Sequence, residues 1–389
     1  MTNFNYENTS KMIFGKNDES VLANEIKSLG GKNVLIHYGQ NSIIKSGLLA
    51  RVVKALENAG IKHLEYGGVQ SNPLRSHALQ GVELAKKNNV DFILAIGGGS
   101  VIDSAKCIAA GAVNENIWEY YADITKQING ALPLGVVLTI PAAGSECSTS
   151  TVIKDDRDGL KYNFSHDYVR SKFAFINPEL MATLPKKQIA FGASDILSHL
   201  LERYFSPEQN VTVTDKLLTG AIQAMFEIAP KVYKDSSDYE NMAEFCLLGT
   251  LAHNGMLALG RVIQSWESHR IETKLLSGAY GIAHGQGLAV IFPAWLKFAG
   301  KKKPAKILQF SKEVMLADGK NEQEIIENGI AKLEAYFQSF GLAVTLKELN
   351  IKVADAQKIA KGAFPKDIVL GGYGKLSIDE ILNVIALAE

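Results

Sequence analysis

The chain has 389 residues, more than one ordinary hydrophobic core organises, so we expect two domains. Lysine plus arginine equals aspartate plus glutamate at 41 each, which argues against nucleic acid or a membrane surface as the main partner. The three cysteines form no C-x-x-C pattern, and no apolar run reaches the ~20 residues that cross a bilayer. The polar N-terminus carries no signal-peptide pattern, so we expect a cytoplasmic protein.

The first half of the chain alternates apolar, partly β-branched runs with amphipathic runs of helical period. The predicted elements, in chain order, are strand 33–38, helix 46–60, strand 61–68, helix 77–90, strand 91–96, helix 101–112 and strand 134–140. This rhythm predicts a parallel sheet with right-handed crossovers, as in Rossmann-like α/β domains. Ligands of such sheets bind outside the carboxyl ends of the strands.

After about residue 186 the strand signals fade. Helical patterns follow at 192–205, 212–233, 240–260 and 322–341. Pro178 and Pro185 bracket a turn-rich segment, which predicts a boundary there. We therefore expect an α/β domain at residues 1–185 and an all-α domain at 186–389.

Two glycine turns in the first half indicate a nucleotide. In AIGGGSVIDSAK three glycines separate a strand from a helix, where backbone and a helix N-terminus can approach a phosphate. The alternative is a plain strand-to-helix turn, since this is not the G-x-G-x-x-G fingerprint. The turn Gly39-Gln40-Asn41-Ser42 follows the first strand, where an adenosine ribose would lie.

The composition of that turn bears on the choice of cofactor. It contains no Asp or Glu to bind a ribose 2′-hydroxyl, whereas Ser42 and Lys45 could meet a 2′-phosphate. We therefore favour NADP(H) over NAD(H), although an uncharged turn excludes neither. The segment TIPAAGSECSTSTV at 139–152 predicts either a loop over the cofactor or an ordinary surface loop.

The second half contains a possible metal-ligand set. Asp195 and His199 are four residues apart and share a face of an otherwise apolar helix, although such pairs are also common as caps or solvated charges. Two further histidines, His269 and His284, lie downstream, the latter in a glycine-rich turn. Three imidazoles and one carboxylate suit a divalent first-row metal, with iron and zinc both acceptable. Glu202 and Glu272 each follow a proposed ligand by three residues and are either supporting partners or solvated helix charges.

Several motifs occur together in order: MIFGKN, HYGQNS, YGGVQSNP, AIGGGSVIDSAK, LTIPAAGSE, FINPELMATLP, DILSHLLERY, SHRIE and IAHGQGLAV. Through them the whole chain resembles the iron-containing (group III) alcohol dehydrogenases, especially the butanol dehydrogenase and broad aldehyde reductase branch. The resemblance implies a dehydroquinate synthase-like architecture, a homodimer, and a metal held by Asp195, His199, His269 and His284. The cofactor contacts it implies are Gly39, Ser42, Asn72, Gly97, Gly98, Gly99, Ser100, Asp103, Thr139, Ser148, Lys161 and Thr183.

The chain departs from that branch in two places near the ligands. Relatives usually carry a histidine four residues after the third ligand, where this chain has Thr273. The interval from His269 to His284 is one residue longer than usual and contains Gly278 and Gly281.

The resemblance implies reversible interconversion of a primary alcohol, such as butanol, and an aldehyde by hydride transfer. The metal would act as a Lewis acid on the substrate oxygen. The alternative is a metal-dependent lyase or cyclase, related to dehydroquinate synthases, that uses nicotinamide transiently. That alternative needs a polyanionic substrate, and the second half shows no obvious basic cluster around the ligands.

Overall fold

The structure is a computed structural model and describes residues 1–123, 125–261, 264–365 and 369–389. In this part of the chain no helix combines the length and the apolar character that crossing a membrane requires.

The chain forms two compact units. The α/β unit comprises Glu7–Thr183 and Ser237–Asn254, and the helical unit comprises Met1–Tyr6, Leu184–Ser236 and Gly255–Glu389. The change of unit after Thr183 lies close to the expected boundary at 185/186. Residues Ser237–Asn254 pack with the α/β unit, although the expected division placed them in the second domain.

The strands, in chain order, are β1 (Lys11–Phe14), β2 (Asn33–Tyr38), β3 (Lys62–Tyr66), β4 (Phe92–Gly97), β5 (Leu134–Leu138), β6 (Ser150–Lys154), β7 (Lys161–Ser165) and β8 (Phe173–Ile176). The predicted β2, β3, β4 and β5 are confirmed. The short β1 and β8 and the hairpin β6–β7 were not predicted, because four-residue runs and mixed polar runs give little periodic signal.

The α-helices are α1 (Ser20–Ser28), α2 (Ser42–Lys45), α3 (Leu48–Asn58), α4 (Arg75–Lys87), α5 (Gly99–Gly111), α6 (Trp118–Ala122), α7 (Lys186–Tyr204), α8 (Thr212–Lys234), α9 (Tyr239–His253), α10 (Glu267–Glu272), α11 (His284–Lys302), α12 (Pro304–Glu313), α13 (Glu322–Ser339), α14 (Val353–Ala363) and α15 (Ile378–Ala386). A π-helix, Thr273–Ala279, continues α10. The predicted helix 240–260 is wrong in its last third, because α9 ends at His253 and Gly255 turns the chain with a φ of 92°.

The sheet of the α/β unit is parallel, with strand order β1-β8-β5-β4-β2-β3. Every residue of β4 is buried, because helices cover both faces, and this explains its continuous apolar sequence. The chain leaves β2 for β3 on one side and returns to β4 on the other. The carboxyl ends of β2 and β4 therefore flank a topological switch point, the usual ligand position in such sheets.

Apolar spacing sets how the helices pack in each unit. In α3, Leu48, Leu49, Val52 and Leu56 form the buried stripe and join the core beneath the sheet. In the helical unit α7 packs against α8 and α11 and is buried on nearly all sides from Ile189 to Tyr204. The predicted succession of a parallel α/β half and a helical half is confirmed.

Candidate metal centre and dinucleotide-binding loops

The helical unit brings four predicted ligands together. Asp195 and His199 lie one turn apart on α7, His269 lies on α10, and His284 is the first residue of α11. Ligand atoms of Asp195, His199 and His269 lie within 4.8 Å of one another. The fourth, His284 Nε2, is 3.7 Å from Asp195 Oδ1. A sequence separation of 89 residues between Asp195 and His284 is thus closed by the packing of α11 on α7.

The imidazole nitrogens are arranged around one carboxylate oxygen. Asp195 Oδ1 is 3.7 Å from His199 Nε2 and 3.9 Å from His269 Nε2. The rings of His199 and His269 stack with centroids 4.8 Å apart. Separations near 3.7–3.9 Å exceed hydrogen-bond lengths. They suit donor atoms grouped around one ion whose bonds are roughly 2.0–2.2 Å long.

Two buried glutamates orient the histidine rings. His269 Nδ1 donates to Glu202 Oε1 at 2.9 Å, and the His269 backbone N–H donates to the same oxygen at 3.1 Å. Glu272 accepts hydrogen bonds from His284 Nδ1 and from the Ser277 hydroxyl. In each pair the proton is on Nδ1, so Nε2 carries a free lone pair, and this lone pair faces Asp195. Histidines that bind metals are commonly held by a carboxylate in this way. Both glutamates are almost fully buried, so they are not solvated helix charges.

The π-helix accommodates the longer interval between His269 and His284. Its wider turn is visible in the Tyr280 N–H, which donates to the Leu275 carbonyl five residues earlier at 3.3 Å. A π-turn absorbs one extra residue without a break in the helix and is frequent at functional sites. Thr273, the residue that stands in place of the usual histidine, is the first residue of this π-helix.

The residues of this group fit a divalent metal ion. Three buried carboxylates occur in this group, on Asp195, Glu202 and Glu272, while α7 contributes the buried guanidinium of Arg203. Buried charges of one sign are costly without a counter-charge, so this group needs additional positive charge. His269 Nε2 is buried and makes no hydrogen bond with any described residue. A set of three imidazole nitrogens and one carboxylate oxygen suits iron or zinc.

Gly285 lies where α11 touches the backbone of α7. A Cβ at Gly285 would overlap the carbonyl group and Cα of Phe191, which cannot move without separation of the two helices that carry the ligands. We expect Gly285→Ala to lower the free energy of unfolding by about 1–3 kcal/mol, the usual cost of overpacking, and to reduce metal content. Urea denaturation followed by circular dichroism checks this.

Gly220→Ala on α8 is the matched control, because a Cβ there meets open space. We expect it to be neutral or to stabilise by about 0.5–1 kcal/mol, as alanine is the better helix former. Equal unfolding midpoints for the two variants would contradict the packing argument.

Three further residues of the helical unit, each close in sequence to a proposed ligand, were not predicted. Glu267 accepts the Gly374 N–H at 2.7 Å, and burial together with Glu202 raises its pKa to about 8. Arg203 donates to the His199 carbonyl at 2.9 Å, and burial lowers its pKa to about 10. Trp266 adopts a φ of 55°, and its ring lies edge-on to His199 and His269. Their sequence neighbourhood offered no signal, because exposed helices carry the same residue types.

The glycine turns meet at the switch point of the α/β unit. Gly39 follows β2, Gly97 is the last residue of β4 and Gly99 the first of α5, and the two strands are paired, with Tyr38 opposite Ile96. A Cβ on Gly39 would lie 3.7 Å from Val101, in the first turn of α5. The Thr139 N–H donates to the Gly97 carbonyl at 3.1 Å. Gly39, Gly97, Gly98, Gly99, Ser100 and Thr139 therefore share one edge of the sheet, at the N-terminus of α5.

Close packing explains why this loop contains glycines. A Cβ on Gly98 would lie 2.9 Å from Ile140 Cβ, and one on Gly99 would lie 3.0 Å from Ala143 Cβ. The residues after β5 thus lie directly against the glycine loop, and larger residues there would push the two segments apart. Such bare backbone at a helix N-terminus is a phosphate-binding arrangement.

The remaining predicted cofactor contacts lie outside this group of residues at the N-terminus of α5. Ser42 is exposed at the start of α2. Asn72, with a φ of 59°, lies two residues before Leu74, which bridges to Lys154 of β6, and Lys161 is the first residue of β7. Asp103 and Ser148 turn inward, since Asp103 accepts from the Ser145 hydroxyl at 2.6 Å and Ser148 contacts the ammonium of Lys106 at 3.2 Å. Within the described residues, no hydrogen bond connects Thr183 to the glycine turns.

Both halves of the chain match models of one protein family. Residues 9–178 match the family model described as "Iron-containing alcohol dehydrogenase", and residues 189–388 match "Fe-containing alcohol dehydrogenase family, C-terminal". A probable NADH-dependent butanol dehydrogenase of Bacillus subtilis is 36% identical, with 99% of each chain covered. The NADPH-dependent aldehyde reductase YqhD of Escherichia coli is 34% identical, with 90% of each covered.

Solved structures of the same kinds of protein are similar to this chain over its whole length. The crystal structure of an NADH-dependent butanol dehydrogenase A from Thermotoga maritima has a TM-score of 0.94 and 36% sequence identity. It covers 100% of this chain, and 99% of its own chain is matched. The crystal structure of Escherichia coli YqhD has a TM-score of 0.93 at 30% identity, with 100% and 99% covered.

Proposed function

Because the chain belongs to the iron-containing alcohol dehydrogenase family, we propose that it is a metal-dependent, NAD(P)H-dependent alcohol dehydrogenase and aldehyde reductase. Its reaction interconverts a primary alcohol and the corresponding aldehyde. The observation that carries the proposal is the convergence of the buried Asp195, His199 and His269 with the partly exposed His284. The relatives support it, since their names describe butanol dehydrogenases and an aldehyde reductase rather than lyases or cyclases.

The four ligand side chains are the proposed holders of one divalent metal, Fe(II) or Zn(II). When bound, such an ion supplies a Lewis acid that stabilises negative charge on the oxygen of the alcohol or aldehyde. Glu202 and Glu272 hold the rings of His269 and His284 in the orientation that directs Nε2 to the ligand group. Because the rings are already oriented, they need little reorganisation when negative charge develops on the substrate oxygen.

The α/β unit is the proposed nicotinamide cofactor domain. When bound, the nicotinamide supplies or accepts the hydride, so that aldehyde, reduced cofactor and one proton give alcohol and oxidised cofactor. The bare backbone of Gly97, Gly98 and Gly99 and the N-terminus of α5 would hold the pyrophosphate. Gly39 and the exposed Ser42 would lie at the adenosine end.

We favour NADP(H) over NAD(H), because the turn after β2 contains no carboxylate that would repel a 2′-phosphate. The relatives include both NADH-dependent and NADPH-dependent enzymes. We expect a higher kcat/KM with NADPH than with NADH. We also expect Ser42→Asp to lower kcat/KM for NADPH at least about tenfold while NADH is affected less, since like charges at ~4 Å repel by a few kcal/mol near a surface. A wild-type enzyme with a large advantage for NADH would overturn this preference.

The proposed activity is tested by a scan of aldehydes of increasing length with NADPH and NADH. The protein is stripped of metal and reconstituted separately with Fe(II) and Zn(II). We expect reduction of butanal and similar aldehydes with at least one of the two metals. Cofactor binding without turnover of any aldehyde or alcohol would count against the proposal and reopen the lyase alternative. The homodimer and the cytoplasmic location stay predictions, and light scattering of the purified protein measures the former.

A further inference from the structure

The ammonium group of Lys106 lies at the centre of a loop in the α/β unit. Lys106 is on α5, one turn after Asp103, and its side chain is completely buried. Its Nζ contacts the carbonyl oxygens of Ser145 at 2.8 Å, Ser148 at 3.0 Å and Ser150 at 2.8 Å. It also contacts the hydroxyls of Ser145 at 2.9 Å and Ser148 at 3.2 Å. The segment 145–150 therefore folds around this cation.

Asp103 holds the same segment from the other side. Its Oδ1 accepts from the Ser145 hydroxyl at 2.6 Å, and its Oδ2 accepts from the Val152 N–H at 3.0 Å. Its carbonyl accepts from the Thr151 hydroxyl at 2.8 Å. Both residues belong to the helix whose N-terminus carries the glycine loop, so α5 is connected to segment 145–152 by charge-assisted hydrogen bonds.

The segment has a further support. Glu146 is buried and accepts from the Thr250 hydroxyl of α9 at 2.6 Å. Gly144, with a φ of 61°, lies so close to the Gly249 carbonyl that a Cβ would be 2.7 Å away. The segment is thus fixed between α5 and α9, and its backbone conformation depends on the cation inside it.

We propose that Lys106 and Asp103 are positioning residues that fold segment 145–152 against α5. They thereby hold the adjoining residues Ile140 and Ala143 against the glycine loop and preform the cofactor site. This inference rests on the proposed function and deepens it. It assigns to Asp103 and Ser148 an internal role, because their side-chain oxygens are already used by Ser145, Val152 and Lys106. Without the ammonium, three loop carbonyls lose a buried donor, which is costly. The segment then also loses the hydrogen bonds that hold it against α5.

The test compares wild type with Lys106→Met, which keeps the length of the side chain and removes the charge. Lys86→Met, at an exposed position of α4, is the matched control. Two measurements are made on metal-loaded protein: Kd for NADPH and NADH by fluorescence titration, and amide hydrogen exchange of residues 145–152 without cofactor. We expect Lys106→Met to raise Kd at least about tenfold, because three buried loop carbonyls lose their donor. Exchange of the segment should accelerate by a similar factor, with metal content unchanged.

The outcomes separate this inference from the proposed function. If wild type binds neither NADPH nor NADH, the proposed function fails. If wild type binds them and Lys106→Met binds equally well, or if its segment exchanges no faster, the positioning role is overturned. If Lys106→Met does not fold, Ser145→Ala decides, because it removes one partner of both Asp103 and Lys106 without loss of a charge. We expect a several-fold higher Kd and faster exchange for Ser145→Ala, and unchanged values for both would refute the role.

Discussion

His269→Ala is expected to lose both bound metal and aldehyde reduction. The side chain contributes the third ligand position, and its Nδ1 is held by Glu202. Alanine removes the donor atom and also the imidazole N–H that Glu202 accepts. Since Lewis-acid stabilisation is worth several kcal/mol and about 1.4 kcal/mol corresponds to a factor of ten, we expect kcat/KM to fall at least about a thousandfold. Metal analysis and steady-state kinetics check both losses.

His63→Ala in the α/β unit is the control for this substitution, since His63 lies on β3 and belongs to no proposed site. It should keep metal content and activity close to wild type. If His269→Ala retained full metal content and full aldehyde reduction, the assignment of the four ligands would be refuted.

Glu272→Ala is expected to weaken metal binding while all four ligands remain. Glu272 is completely buried and accepts from His284 Nδ1 and the Ser277 hydroxyl. It also lies directly beside Gly287, where a Cβ would overlap its carboxylate. Its loss frees the His284 ring to rotate and to change tautomer, which typically lowers metal affinity or activity by about 10–100-fold. Titration of the apoprotein with Zn(II) against a competing chelator measures the affinity.

The control for Glu272→Ala is Glu327→Ala on α13, an exposed glutamate whose partner is the surface residue Gln323. We expect it to leave metal affinity unchanged, because exposed polar pairs contribute little. A Glu272→Ala protein with wild-type zinc affinity and wild-type kcat would show that the glutamate serves folding alone.

The proximity of Asp195 and His199 was predictable because its signal is local. Asp195 and His199 interrupt an apolar helical pattern at a spacing that places them on one face. Glu202 and Glu272 were left open between supporting partners and solvated charges, and only their burial decides between these roles. Glu267 and Arg203 carry no local signal at all, since their role depends on the packing of α10 and of the segment around Gly374.

The glycine turns were likewise predictable only in part. Strand-helix alternation predicted the parallel sheet, and the order of the strands then brings Gly39 and Gly97 to neighbouring strand ends. The inward orientation of Asp103 and Ser148 was not predictable from the sequence. It depends on the burial of Lys106 within the loop that contains Ser145, which lies 42 residues after Asp103. A buried lysine and a solvated one look alike in a helical pattern.

The most direct measurement of the central claim follows NADPH and NADH oxidation with added butanal in three preparations of the same protein. These are the metal-loaded protein, the chelator-treated protein, and the treated protein after addition of Fe(II) or Zn(II). We predict one reduced cofactor consumed per aldehyde reduced, loss of turnover on chelation, and recovery with at least one of the two metals. Undiminished turnover in protein shown to be free of metal would contradict the account.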